Sequence, residues 1–291
     1  MQLLKDRIAV VAGATRGAGR GIAVCLGEAG ATVYCTGRSV RGQSATVGRP
    51  ETIDETAALV NARGGIGIAV QVDHTVEAQV RGLFERITAE QGRLDLLVND
   101  VWGGDELTEW GLPFWELSLE KGLLMQQRAV HSHIITARYA APIMVRQGHG
   151  LIIEITDGDT LDYRGNLFYD LAKTSAIRLA HAMAEELRPH GVTALALTPG
   201  FLRSEAMLDH FGVTEATWRD AIAQDPHFAA SETPLYIGRA VAALASDSDI
   251  AARSGAAWST WRLAKEYAFV DADGARPDWG AHYAAYLAGK V

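Results

Sequence analysis

Three observations predict a doubly wound α/β fold, with a mostly parallel sheet of seven strands and helices on both faces. Strand-like apolar runs alternate with helical patterns along most of the 291 residues, the signature of repeated strand-helix-strand units. Val10-Val11, Leu96-Leu97-Val98 and Leu151-Ile152-Ile153 show no polar face, as strands covered on both sides require. The first run ends in Gly13-Ala14-Thr15-Arg16-Gly17-Ala18-Gly19 and turns directly into a helical pattern, and such turns need the backbone freedom of glycine.

Strands are expected at Arg7–Ala12, Thr32–Thr36, Gly67–Val72, Leu94–Asn99, Leu151–Thr156 and Thr193–Thr198, with a short seventh near Ala256–Ser259. Helical periodicity covers about Gly17–Ala29, Glu51–Arg63, Val76–Gln91, Leu119–Arg146, Phe168–Leu187 and Pro234–Ala245. Residues 201–231 carry no strand pattern and read as helical only over Glu215–Ala223. They come after a strand's C-terminal end, where open α/β sheets bind ligands, so a substrate flap is expected there. Residues 263–291, rich in Tyr, Trp and Ala, form a C-terminal extension that wraps the core or covers a neighbouring subunit. The length suits a single domain over 1–291.

Composition narrows the partners. A net charge of −8 disfavours a nucleic-acid surface, which needs clustered Lys and Arg. No apolar run reaches the roughly 18 residues that span a bilayer, and the first residues have no signal-peptide pattern. Cys25 and Cys35 lack metal or redox spacing and read as small buried hydrophobes in a reducing compartment. No hydrolase elbow or metal-ligand quartet occurs. A cytoplasmic protein acting on a small molecule is expected.

The glycine turn suits a dinucleotide, because the helix N-terminus aims N–H groups and a positive dipole end at a pyrophosphate. The second strand ends Thr36-Gly37-Arg38-Ser39 without the acid that would accept a ribose 2′-hydroxyl. Arg38 and Arg16, with Arg41 in reserve, suit a 2′-phosphate instead, so NADP(H) is the expected cofactor.

Tyr169 and Lys173 stand at i and i+4 on one helix face. A phenol of pKa about 10 beside an ammonium is expected to shift down and to exchange protons near neutral pH. With the glycine turn, Asp73, Leu97-Val98-Asn99, Tyr169 to Lys173 and Pro199-Gly200, the chain resembles the short-chain dehydrogenase/reductase family, of Rossmann fold, over nearly its whole length. Phe114-Trp115-Glu116 and the segments 263–267 and 271–274 resemble the dehydrogenase/reductase member 1 subgroup.

The resemblance implies hydride transfer between nicotinamide and a carbonyl or alcohol, with Tyr169 as acid/base and Lys173 on the nicotinamide ribose. It also implies adenine-side contacts from Asp73 and Asn99, and a homodimer or homotetramer.

The chain departs from the family pattern at two places. The family serine is replaced by Thr156 if counted from Tyr169, the preferred assignment, or by Asp157 if the strand is aligned. A threonine donates a hydrogen bond as serine does, whereas an ionised aspartate only accepts. The family asparagine on the fourth helix falls at Gln127 or Gln126, and Trp102 places an indole beside the cofactor channel. Asp157 and Trp102 are candidate substrate contacts, and the acids after the fourth and fifth strands suit a cationic amine or iminium. An imine or C=C reductase and a non-catalytic dinucleotide sensor or scaffold subunit stay open as alternatives.

Overall fold

A computed structural model describes residues 2–290; Met1 and Val291, the two ends of the expected domain, lie outside them. Seven strands form among the described residues, β1 (Ile8–Ala12), β2 (Thr32–Gly37), β3 (Ile66–Gln71), β4 (Leu96–Asn99), β5 (Gly150–Ile155), β6 (Val192–Thr198) and β7 (Ala257–Ser259). They pair in the order β3-β2-β1-β4-β5-β6-β7, every pair parallel. Ala12 lies opposite both Thr36 and Asn99. The strand order reverses between β1 and β4, and connections leaving in opposite directions there open a crevice at the C-terminal strand ends.

The same residues form ten helices around the sheet, α1 (Gly17–Glu28), α2 (Ile53–Ala62), α3 (Glu77–Gln91), α4 (Leu119–Gln126), α5 (Ser132–Gln147), α6 (Leu167–Leu187), α7 (Glu205–His210), α8 (Pro234–Ser246), α9 (Thr260–Tyr267) and α10 (Trp279–Leu287). Strand side chains alternate between faces, so adjacent residues join different cores. Val11, Val33 and Val98 pack with Ile22, Val60 and Val241 on one side. Val10, Tyr34 and Leu97 pack with Leu83, Ile87 and Met144 on the other. This two-sided burial is why the strands read as continuous apolar runs.

Two segments differ from expectation, and a third takes one of two expected courses. The helix expected over Leu119–Arg146 is interrupted by a π-helical turn at Gln127–His131, which inserts an extra residue and rotates α5 relative to α4. In the segment 201–231, Ser204 accepts from Met207 N and starts α7, while the expected helix over Glu215–Ala223 is a short 3-10 turn at Trp218–Ala223. The C-terminal residues form α9 and α10 and pack on their own chain, where Phe201 and Trp279 meet at 5.9 Å between ring centroids. No helix among the described residues is long and apolar enough to cross a membrane. Cys25 and Cys35 are free, and burial pushes each thiol up to about 12.

Candidate active site

The turn after β1 is clamped into place. Gly13 N and Ala14 N both donate to Thr36 O, at 3.0 and 2.9 Å. Gly13 has φ +94°, and a Cβ there would fall 2.4 Å from Asp100 O. A Cβ on Gly19 would fall 2.3 Å from Gly13 O. Side chains at either position would therefore collide with backbone and push the turn open. No side chain caps α1 from its own N-terminus. Gly17 N instead donates to Glu205 Oε2 at 2.8 Å, and Arg20 lies 3.8 Å from the other oxygen of that carboxylate.

A cleft of about 630 Å³ opens above the strand ends. Of the residues singled out from the sequence, Gly13, Thr15, Arg16, Gly17, Ala18, Arg38, Asp73, Trp102, Thr156, Asp157, Tyr169, Lys173, Pro199 and Gly200 line it. Asp73 Oδ1 accepts from Thr75 N and Oγ1, bonds that hold its carboxyl low against a partial burial that raises it. Arg16 reaches Thr46 Oγ1 at 3.4 Å. The residues fit an adenine dinucleotide: the cradle admits no Cβ at Gly13 or Gly19, and two arginines stand at the strand-end side where a carboxylate is missing.

Asn166 starts α6 by accepting from Phe168 N and Tyr169 N, which places Tyr169 in the first turn and Lys173 one turn on. Tyr169 Oη donates to Asp157 Oδ2 at 2.8 Å. Thr156 Oγ1 donates elsewhere, to Lys173 O at 2.7 Å. Thr156 continues the β5 alternation toward the α6 backbone, and Asp157 is the next residue past it. The preference for Thr156 as the group facing Tyr169 is therefore corrected to Asp157, in a loop one residue shorter than the count assumed.

The phenol also departs from expectation. Burial pushes Tyr169 up, and the Asp157 carboxylate pushes it further. Lys173 Nζ sits 3.9 Å from the Trp102 ring centroid and 5.5 Å from that of Tyr169. Burial draws Lys173 down, with Asp157 and Asp100 pulling against it. Asp100 is pushed up to about 7 by burial, opposed by Lys173 and His133. Trp102 meets Tyr169 edge-on at 5.3 Å and donates through Nε1 to Asp105 at 2.6 Å, and Trp110 closes the other side at 5.1 Å.

Gln127, Gln126 and Asn99 do not line the cleft. Gln127 lies in the π turn with its side chain exposed, and Gln126 Nε2 donates to Phe168 O at 2.7 Å. Arg128 lines the cleft in its place and donates to Gly103 O at 2.9 Å. Asn99 is fully buried below the cleft, where its Nδ2 donates to Glu154 Oε1 at 2.7 Å. It supports the floor and makes no cleft contact.

That floor holds a charge pair not anticipated from the sequence. His133 Nδ1 lies 2.5 Å from Glu154 Oε2 and Nε2 lies 3.0 Å from Val101 O. Both partners are acceptors, so both ring nitrogens donate and the ring is an imidazolium. Burial alone would draw His133 down, but the Glu154 charge and hydrogen bond hold it up. The signal available in sequence was Glu154 inside an otherwise apolar strand. Glu232 is similarly buried. Its Oε2 accepts from Gly200 N at 2.9 Å and Thr260 Oγ1 at 2.6 Å, and burial pushes it up to about 8.

A profile described as short chain dehydrogenase matches residues 7–211. The chain belongs to the short-chain dehydrogenase family. This short-chain dehydrogenase is 36% identical over 276 residues to mouse dehydrogenase/reductase SDR family member 1, covering 93% of this chain and 85% of that protein. The human protein of the same name is 34% identical over 281 residues with the same coverage. A solved structure of a putative dehydrogenase from Xanthomonas campestris matches with a TM-score of 0.77 at 25% identity, covering 94% of each chain. The chain is thus an oxidoreductase on a Rossmann-type single sheet, of a family that uses a nicotinamide dinucleotide.

Proposed function

We propose that this short-chain dehydrogenase is an NADP(H)-dependent reductase of a small-molecule carbonyl, with Tyr169 as acid and Lys173 as its partner. The observation that carries the reading is the Tyr169 phenol, one helical turn from Lys173 and at the mouth of the same cleft as the glycine turn. A bound reduced nicotinamide would supply hydride chemistry at the carbonyl carbon, and Tyr169 would give its phenol proton to the oxygen, so that C=O becomes CH–OH. Burial and the Asp157 carboxylate keep the phenol protonated near neutral pH, the form that carbonyl reduction requires.

Gly13, Thr15, Arg16, Gly17, Ala18 and Gly19 cradle the pyrophosphate, with Gly19 acting through turn packing. Arg16 and Arg38 take the 2′-phosphate, Asp73 meets the adenine side, and Pro199-Gly200 borders the nicotinamide. Residues 201–231 close over the substrate. Exposed Leu119, Leu123 and Leu171 support pairing through α4 and α6 into a homodimer or homotetramer. Two buried free thiols suit a reducing compartment such as the cytoplasm.

A second reading is favoured by Asp157 at the reacting group. A carboxylate there repels a developing oxyanion but attracts an iminium. NADPH consumption with matched ketones and cyclic imines separates the two readings by product. Tight NADPH binding without turnover of either class would instead indicate a sensor or scaffold.

A further inference from the structure

The C-terminal helix α10 does more than cover the core. Trp279 and Tyr283 project into the cleft that holds Tyr169 and Lys173, beside Phe201 and His227. Trp279 and Tyr283 stack at 5.4 Å and 22°, and His227 meets Trp279 nearly edge-on at 5.2 Å.

This wall is built rigidly. A Cβ on Gly200 would fall 2.6 Å from Trp279 Cβ, so the indole rests on the backbone of the Pro199-Gly200 segment. On its other side, Gly280 lets the helix approach Trp261, where a Cβ would fall 2.5 Å from Nε1. Asp278 caps α10 by accepting from Ala281 N at 3.0 Å and pairs with Lys265 at 2.6 Å. His227 Nδ1 and His282 Nε2 meet at 3.1 Å, which ties the flap to the helix.

The rings nevertheless leave apolar surface uncovered by the chain, and Tyr283 is 43% exposed. The two rings stack on each other and line the cleft with aromatic carbon, and such a wall gains most from a ligand with a planar apolar group, which buries area and meets the rings edge-to-face or offset.

We propose that Trp279 and Tyr283 are specificity-determining residues, and that the substrate carries a planar apolar group, an aryl or fused ring, bound against them while its carbonyl meets Tyr169. The proposal rests on the hydride-transfer reading for its assay. It adds a substrate class that the family assignment does not supply.

The test compares acetophenone with butan-2-one under saturating NADPH, reading kcat and KM separately. Wild-type enzyme is expected to favour acetophenone in kcat/KM by about tenfold or more, through KM. Trp279→Ala is expected to cut that aryl-to-alkyl ratio about tenfold, and Trp279→Phe, which keeps a ring, to retain most of it. If Trp279→Ala does not fold, Tyr283→Ala carries the same ratio measurement. A ratio near one in the wild type, or one that both alanine variants leave intact, overturns the proposal. If neither ketone turns over, that result counts against the carbonyl reading and leaves the wall to a binding measurement. The wall is then judged by calorimetric titration of both ketones into NADP⁺-loaded protein: preferential acetophenone binding supports it, and equal affinity overturns it.

Discussion

Asp157 accepts the Tyr169 phenol proton bond at 2.8 Å, while its neighbour Thr156 is turned away to the Lys173 carbonyl. The Tyr169 phenol is therefore partnered by a carboxylate in place of a neutral hydroxyl. Because a neighbouring negative charge disfavours phenolate, Asp157 and burial both act to keep Tyr169 protonated.

Removing that charge has a definite sign. Asp157→Asn is expected to lower the Tyr169 pKa, so the pH dependence of alcohol oxidation moves to lower pH by about one unit or more. A pH profile of kcat/KM checks this. An unmoved profile would mean Asp157 does not act on the phenol.

Arg38 tests the cofactor. Arg38→Glu is expected to raise the KM for NADPH about 10- to 100-fold, the worth of a charge-assisted contact, with a much smaller effect on NADH. Initial rates with both cofactors decide it. Equal losses for the two would remove the 2′-phosphate role.

The Glu154–His133 pair lies under the Asp100-Val101-Trp102 loop. The folded His133 value is held above the usual 6.5. Its stabilisation is thus fully present below about pH 6.5 and is lost as pH rises through the folded value. Glu154→Gln is expected to cost about 3 kcal/mol or more at pH 6, because one charge stays buried without its partner. Denaturant unfolding should show the gap from wild type narrowing as pH rises.

Glu232 has linkage of the same sign, arising from a penalty on the charged form. Its folded carboxyl ionises near 8 and its unfolded one near 4.5, so the unfolded state binds fewer protons and stability falls as pH rises between those values. Glu232→Gln keeps an acceptor for Gly200 N and Thr260 and removes the penalty. Melting temperatures of the variant, relative to wild type, should rise from pH 5 to pH 8.

Much of this is legible in the chain because it is local. The glycine turn, the two-faced apolar strands and the Tyr169/Lys173 spacing each depend on residues within a turn or two of one another. The misses are longer-range or geometric. A π turn leaves no mark in composition, so helical counting puts Gln127 in a place that Arg128 fills. Counting back from Tyr169 selects Thr156 because a one-residue shortening of the loop is invisible without the strand's end. Asn99 carries a family role by position, yet in the fold its amide is committed to Glu154. The place of α10 is hidden in the sequence because its aromatic residues pack on Phe201 and His227, far away along the chain.

The central claim is that Tyr169 supplies the proton that accompanies hydride transfer. The most direct measurement is carbonyl-dependent NADPH oxidation by Tyr169→Phe, alongside fluorescence titration of NADPH binding. The account predicts a loss of about 10²- to 10⁴-fold in kcat/KM, the usual worth of a positioned acid, with NADPH still binding saturably. Turnover within about twofold of wild type, well short of a general acid's contribution, would contradict it.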